Sequence, residues 1–267
     1  MQFDNRPIGL FDSGIGGLTV LNSLMTALPG ESFTYLGDTA RLPYGSKSSD
    51  TIEKYLKQNI QYLLSQGIKA VVVACNSAST VLLRKKIDYP LPIYNVIQPG
   101  ASVALAATQN KRIGVLGTRA TVAAQSYCRA LHDLDQTVVV YQQACPLLVP
   151  LVEEGLESDP LTHLIIYRYL SPLLTCQIDT LIMGCTHYPA LREGISRVVG
   201  PNVTLVDSAT AIANEIKKDL EKGRLFASSE RPKLRILTTD LTPGFAEVAA
   251  RLMRPHIIPP LEATDLC

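Results

Sequence analysis

The sequence predicts an α/β protein with mainly parallel sheets, on three observations. Short apolar runs alternate with helical patterns along nearly the whole chain, as strand-helix-strand units require. A strand beginning Ile-Gly, later followed by a strand ending in cysteine, occurs twice in the same order. Both cysteines stand where an apolar run gives way to small, polar or turn-forming residues, the carboxyl end of a buried parallel strand.

The strand candidates are Ile8–Phe11, Phe33–Leu36, Ala70–Ala74, Ile93–Val96, Arg112–Leu116, Val138–Tyr141, Thr180–Met183, Val203–Val206 and Leu234–Leu237. The helices between them carry end signals. Asp50 with Glu53 reads as a capping box, Ile52, Leu56, Ile60, Leu63 and Leu64 form one apolar face, and Gly67 supplies a stop. After Cys185, Pro189 fits a first turn, with Leu191, Ile195, Val198 and Val199 on one side.

Ile8–Ser13 aligns with Ile113–Thr118 at an offset of 105, and Ala70–Cys75 aligns with Thr180–Cys185 at an offset of 110. Any two buried parallel strands are alike in being rich in Val, Ile and Leu, but the repeated order and spacing favour two related halves. Pro99-Gly100 marks the crossing into the second half, and Asp207-Ser208 the return to the first. The expected division is 1–97 plus 207–267 for a discontinuous N-terminal domain, and 98–206 for an inserted one. A length of 267 residues agrees with two domains.

Charge excludes several classes. With 25 basic and 24 acidic residues, the chain has no electrostatic footprint for nucleic acid or an anionic membrane. Arg84-Lys85-Lys86 reads as a solvated helix end. No apolar run is long enough to span a bilayer, and Asp12, Ser13 and three glycines interrupt any signal-peptide core, so the expected location is the cytoplasm. Only six or seven residues precede the first strand, from which no long N-terminal regulatory extension is expected. The six cysteines lack a disulfide-framework spacing and would be free thiols in a cytosol. No Cys-x-x-Cys or His-x-x-x-His occurs, so no metal site is expected.

Four stretches could carry chemistry. Asp12-Ser13-Gly14-Ile15-Gly16-Gly17 opens a helix directly after a strand, where backbone N–H groups favour a bound anion. Thr19 stands where a dinucleotide fingerprint needs glycine, and a tight turn with Asp12 or Ser13 as a helix cap is the bland alternative. Gly37–Gly45, containing Pro43-Tyr44-Gly45, is by composition an ordinary turn, made interesting by its place at a strand's carboxyl end. Cys75-Asn76-Ser77 and Cys185-Thr186-His187 are the sharpest candidates, because a helix N-terminus or an imidazole can lower a thiol's pKa. Cys128, Cys145, Cys176 and Cys267 read as small hydrophobes, and His132, His163 and His256 as structural or surface residues. Glu153 and Glu154 suit a solvent-facing helix end, although Glu153 could orient a histidine.

Taken together, Asp12-Ser13-Gly-Ile-Gly-Gly-Leu-Thr-Val, Pro43-Tyr44-Gly45, Val-Ala-Cys75-Asn76-Ser77-Ala-Ser, Gly117-Thr118 with Thr121, and Gly-Cys185-Thr186-His187-Tyr-Pro closely resemble the glutamate racemases of the cofactor-independent Asp/Glu racemase family. The resemblance runs from about residue 7 to about residue 255; the tail beyond is uninformative. It implies two pseudo-symmetric flavodoxin-like domains with the active site in the cleft between them. It further implies racemisation of glutamate, supplying D-glutamate for peptidoglycan and so for cell shape. Cys75 and Cys185 are implied as an acid/base pair on opposite faces of the substrate, Asp12 assisting Cys75, and His187 serving Cys185 with support from Glu153. Asp12, Ser13, the Tyr44-Gly45 backbone, Asn76, Ser77, Thr118, Thr121, Thr186 and His187 are implied in substrate binding. Ser77 replaces the family's usual threonine and keeps the hydroxyl. No cofactor is implied, and no lysine in the motifs offers a Schiff base. The implied partner is the small-molecule substrate; a homodimer is compatible with the sequence but not specified by it.

Three other readings share some of these features. An aspartate or hydantoin racemase would share both cysteines, but is less suited to the Asp12 and Pro43 loops together. A non-catalytic two-domain binding protein would not need both thiols and His187. Thiol redox chemistry would require the two cysteine Cα atoms within roughly 7 Å, closer than a substrate between them allows.

Overall fold

The computed structural model describes residues 4–85, 89–223, 226–227 and 232–266. Lys86 and Cys267, named above, lie outside them. β1 (Ile8–Asp12) leads into α1 (Leu18–Ala27), and β2 (Phe33–Gly37) runs through two short 3-10 turns into α2 (Ser49–Ser65). β3 (Ala70–Val73) feeds α3 (Asn76–Lys85), and β4 (Ile93–Asn95) feeds α4 (Ile97–Ala107). β5 (Arg112–Gly117) precedes α5 (Arg119–Ala123) and α6 (Ser126–Leu134); β6 (Val139–Ala144) precedes α7 (Leu148–Glu153) and α8 (Pro160–Leu174). β7 (Thr180–Gly184) passes through a 3-10 turn into α9 (Arg192–Val199), and β8 (Thr204–Asp207) runs into α10 (Ser208–Gly223). β9 (Leu234–Thr238), α11 (Pro243–Leu252) and β10 (Leu261–Ala263) follow.

All nine expected strands are present, with ends shifted by at most three residues, the largest shift being at the carboxyl end of β6. Together with a tenth strand that was not expected, β10, they form two parallel sheets, ordered β10-β9-β2-β1-β3-β4 and β6-β5-β7-β8. Each contains the flavodoxin-like order second-first-third-fourth, so β1 and β5 are equivalent, as are β3 and β7. The repeat survives at the level of register: Ile8 pairs with Ala70, and Ile113 with Thr180. It extends to packing. A Cβ on Gly9 would lie 2.7 Å from Ile68 Cδ1, and one on Gly114 would lie 2.7 Å from Ile178 Cδ1. Each Ile-Gly strand therefore carries glycine because an isoleucine from the approach to its cysteine strand fills the place a side chain would need.

Helices cover both sheets. Leu18, Leu21 and Leu24 of α1 meet Ile212, Ile216 and Leu220 of α10 in the core over the first sheet. Ile52, Leu56, Ile60 and Leu63 of α2 close its other face. In the second half, Ile97, Ala101 and Ala104 of α4 pack with Ile113, Val115 and Ile182, while Val152, Ile166, Leu170 and Ile195 fill the opposite core. Chain return through α10 thus brings residues after β8 back onto the first sheet.

The predicted capping box is not formed. Ser48, with extended backbone, accepts the Thr51 N–H at 3.3 Å, whereas Asp50 already lies in the first helical turn. Glu53 instead pairs with Lys57 at 2.8 Å and Lys85 at 2.9 Å. Gly67 stops the helix as expected, at φ +68°.

Candidate active site

Loops at the carboxyl ends of strands from both sheets converge on one pocket. It is lined by Ser13, Tyr44, Gly45, Cys75, Asn76, Ser77, Thr118, Glu153, Cys185, Thr186 and His187, with Leu42, Pro43 and Val149 completing the wall. Asp12 and Thr121, also expected in the site, stand behind this lining. The closed pocket measures about 20 Å³, room for about one water, so entry of an amino acid requires the halves to part.

The loop after β1 is organised by its first residue. Buried Asp12 accepts the N–H groups of Gly14 at 3.2 Å and Gly17 at 3.0 Å, so it shapes the turn, although the N-cap of α1 is Gly17 and neither Asp12 nor Ser13 caps it. Its other oxygen accepts Thr186 Oγ1 at 3.4 Å, from the opposite half. Burial pushes the Asp12 carboxyl up from its ordinary range, while the nearby His187 charge and the backbone N–H groups pull it back.

Cys75 sits between β3 and α3, its Sγ donating to Ser13 Oγ at 3.8 Å. The helix N-terminus does not win here. Burial drives the thiol up to about 12, reinforced by the Asp12 charge and, more weakly, by Cys185; the Ala78 N–H and Ser13 only partly oppose this. In the closed pocket Cys75 therefore holds its proton. Cys75 and Cys185 line the same pocket.

Cys185 has a different helper. It follows β7, and its Sγ lies 3.9 Å from His187 Nδ1. The other ring nitrogen, Nε2, donates to Glu153 Oε1 at 3.1 Å, which fixes the ring's orientation. Burial opposes a charge on His187, but the Cys185 sulfur and the Glu153 carboxylate outweigh it and raise the imidazole to about 10. An imidazolium beside a sulfur, backed by a carboxylate, is an arrangement for stabilising a thiolate.

Polar groups complete the pocket. Ser77 Oγ lies 2.9 Å from Thr118 Oγ1, which lies 3.1 Å from Thr121 Oγ1, so the hydroxyls bridge α3 and the start of α5. Asn76 Oδ1 accepts Tyr127 OH at 2.7 Å, leaving its buried Nδ2 without a protein partner, a donor suited to a bound carboxylate. Gly45 approaches the second half so closely that a Cβ there would lie 2.5 Å from Thr118 Cβ.

Several supporting residues escaped the sequence reading. Tyr44 is held from behind by Asp38 and by Asn59 Nδ2 at 3.0 Å; Asp38 is in turn gripped by Arg41 Nε at 2.9 and 2.8 Å. Asn59 did leave a signal, a polar residue within the apolar stripe of α2. Thr19 Oγ1 donates to Thr186 O at 2.9 Å, tying α1 to the Cys185 loop; nothing in the sequence marks it. Cys128, Cys145 and Cys176 lie outside the pocket lining, as do His132, His163 and His256.

Two matched strand-end thiols, one from each half of a duplicated parallel α/β fold, line one pocket, the arrangement expected of an amino-acid racemase. In agreement, residues 24–216 match the Asp/Glu/Hydantoin racemase family model. The glutamate racemase of Chlorobaculum tepidum is 42% identical over 265 residues, 98% of this chain and 97% of that protein. Crystal structures of the RacE1 isoform of glutamate racemase from Bacillus anthracis and of glutamate racemase from Francisella tularensis in complex with D-glutamate superpose with TM-scores of 0.93 and 0.92. Their identities are 37% and 36%, over 98% and 99% of both chains respectively. The chain belongs to the glutamate racemase branch of the Asp/Glu/hydantoin racemase family.

Proposed function

We propose that the protein interconverts L- and D-glutamate without a cofactor, with Cys75 and Cys185 as opposed acid and base, and so supplies D-glutamate for bacterial peptidoglycan. The observation carrying this reading is that two equivalent strand ends deliver one thiol each to a single pocket. Inverting an amino acid removes the Cα proton from one face and returns a proton to the other, so two carriers avoid moving one. In one direction a Cys185 thiolate takes the Cα proton while the Cys75 thiol gives its proton to the opposite face. Cys185 then carries the proton and Cys75 the charge, which is the starting state for the other isomer.

The surroundings suit these roles. His187, paired with Glu153, stabilises negative charge on Cys185; Asp12 stands beside Cys75 and holds the loop carrying Ser13. Asn76 Nδ2, the Ser77, Thr118, Thr121 and Thr186 hydroxyls, Ser13 and the Tyr44-Gly45 backbone would bind the ammonium and carboxylate groups. The Francisella relative's complex with D-glutamate supports this substrate.

The test is incubation with L-glutamate, then D-glutamate, in deuterated water without added cofactor, following optical rotation and loss of the Cα proton. Racemisation with exchange is expected for both isomers. Exchange with aspartate but not glutamate would move the protein to a sister specificity, and binding without exchange would make it a binding protein.

A further inference from the structure

Arg251 stands on α11, which belongs to the first half: Phe245 and Ala249 are buried in the same core as Leu10 and Leu21. Asn22 of α1 anchors the end of that helix, donating to Leu252 O at 3.1 Å and Arg254 O at 2.9 Å. From this fixed base the Arg251 guanidinium crosses to the second half. Nη2 donates to Val152 O at 3.0 Å and pairs with Glu157 at 3.0 Å. Val152 is fully buried and immediately precedes Glu153, the last residue of α7. The guanidinium thus satisfies a carbonyl at the end of a six-residue helix, where positive charge is favoured. Gly155, at φ +72°, turns the chain beneath it; a Cβ there would lie 3.0 Å from Arg251 Nη1.

A surface ion pair alone would contribute little. This one is a clamp on the residue preceding the His187 partner, and it exists only while the two halves touch. We infer that Arg251 is a positioning residue: on closure it fixes the end of α7 so that Glu153 meets His187, coupling cleft closure to preparation of the Cys185 side. This inference rests on the racemase reading above.

The experiment compares Arg251→Met, Arg251→Lys, Glu153→Gln and the Arg251→Met/Glu153→Gln double variant of the full chain in both directions, using protonated and Cα-deuterated glutamate. Arg251→Met should lower kcat by roughly 10- to 100-fold, with KM changing far less. The double variant should turn over no more slowly than Glu153→Gln alone, because Arg251 acts through Glu153. Arg251→Lys, which retains the cation, should recover part of the loss. The kinetic isotope effect should rise for the isomer deprotonated at Cys185, the same isomer in both single variants. Losses that multiply in the double variant, or isotope effects changed equally for both isomers, would overturn the inference, as would wild-type rates in Arg251→Met. Wild-type protein is assayed first: no exchange there sinks the racemase reading itself, whereas wild-type turnover with multiplying losses sinks only the role of Arg251.

Discussion

Gly16 of one half and His187 of the other pack so closely that a methyl group on Gly16 would lie 2.3 Å from the imidazole Nδ1. The ring cannot yield cheaply, since Glu153 holds it from the far side. Gly16→Ala should therefore push the halves apart or displace the imidazole from Cys185. The expected cost is about 1–3 kcal/mol of stability, as for overpacking a tight interior, together with a kcat loss of at least about tenfold. Thermal melts and steady-state turnover of the same preparation check both; wild-type values in each would show that the contact is soft.

Stability should fall with rising pH in two windows. His187 is raised from 6.5 to about 10 on folding, so its contribution is complete below about 6.5 and is lost as pH climbs toward about 10. Between those values the folded state binds more protons than the unfolded state, which gives the negative slope. Cys75, raised from 9.0 to about 12, acts with the same sign in a later window beginning near 9. Urea midpoints measured from pH 6 to pH 10 should decline, and His187→Gln should flatten the decline; an unchanged slope in that variant would assign the effect elsewhere.

Cys75→Ser and Cys185→Ser should each reduce racemisation by roughly 100- to 10,000-fold, since either change removes the carrier for one face. Binding of glutamate, followed by calorimetry, should persist in both. Near-wild-type turnover in either variant, in both directions, would refute the two-thiol mechanism.

The duplicated glycine-isoleucine contact predicts a rescue. Gly9→Ala drives a methyl group against Ile68 Cδ1, and Ile68→Val deletes that atom. The double variant should be more stable than Gly9→Ala alone, by chemical denaturation. At the matching site, Ile178→Val should rescue Gly114→Ala less completely, because Leu181 Cδ1 also lies 2.7 Å from the added carbon.

The strands were legible because parallel strands buried on both faces leave continuous apolar runs such as Ala70–Val73. β10 was not: Leu261–Ala263 is a three-residue edge strand, largely exposed, with no second face to demand apolar residues. Cys75, Cys185 and His187 stood out by position, whereas Glu153 was legible only as the member of an acid pair that could orient a histidine, a carboxylate at a helix end being ordinarily solvated. The Asp38–Tyr44–Asn59 support and the crossing made by Arg251 join residues far apart in the chain, and no local period records such contacts.

The two thiols arise from equivalent strand ends, yet their attendants differ: Asp12 and Ser13 beside one, His187 and Glu153 beside the other. Mirror-image substrates have equal free energy in water, so under the proposed reaction the ratio of kcat to KM must be identical in the two directions. Chemical inequality between the two sides can therefore appear only as paired differences, a faster isomer being held more weakly in the same proportion. A lopsided site built on a duplicated frame remains bound to an equilibrium constant of one.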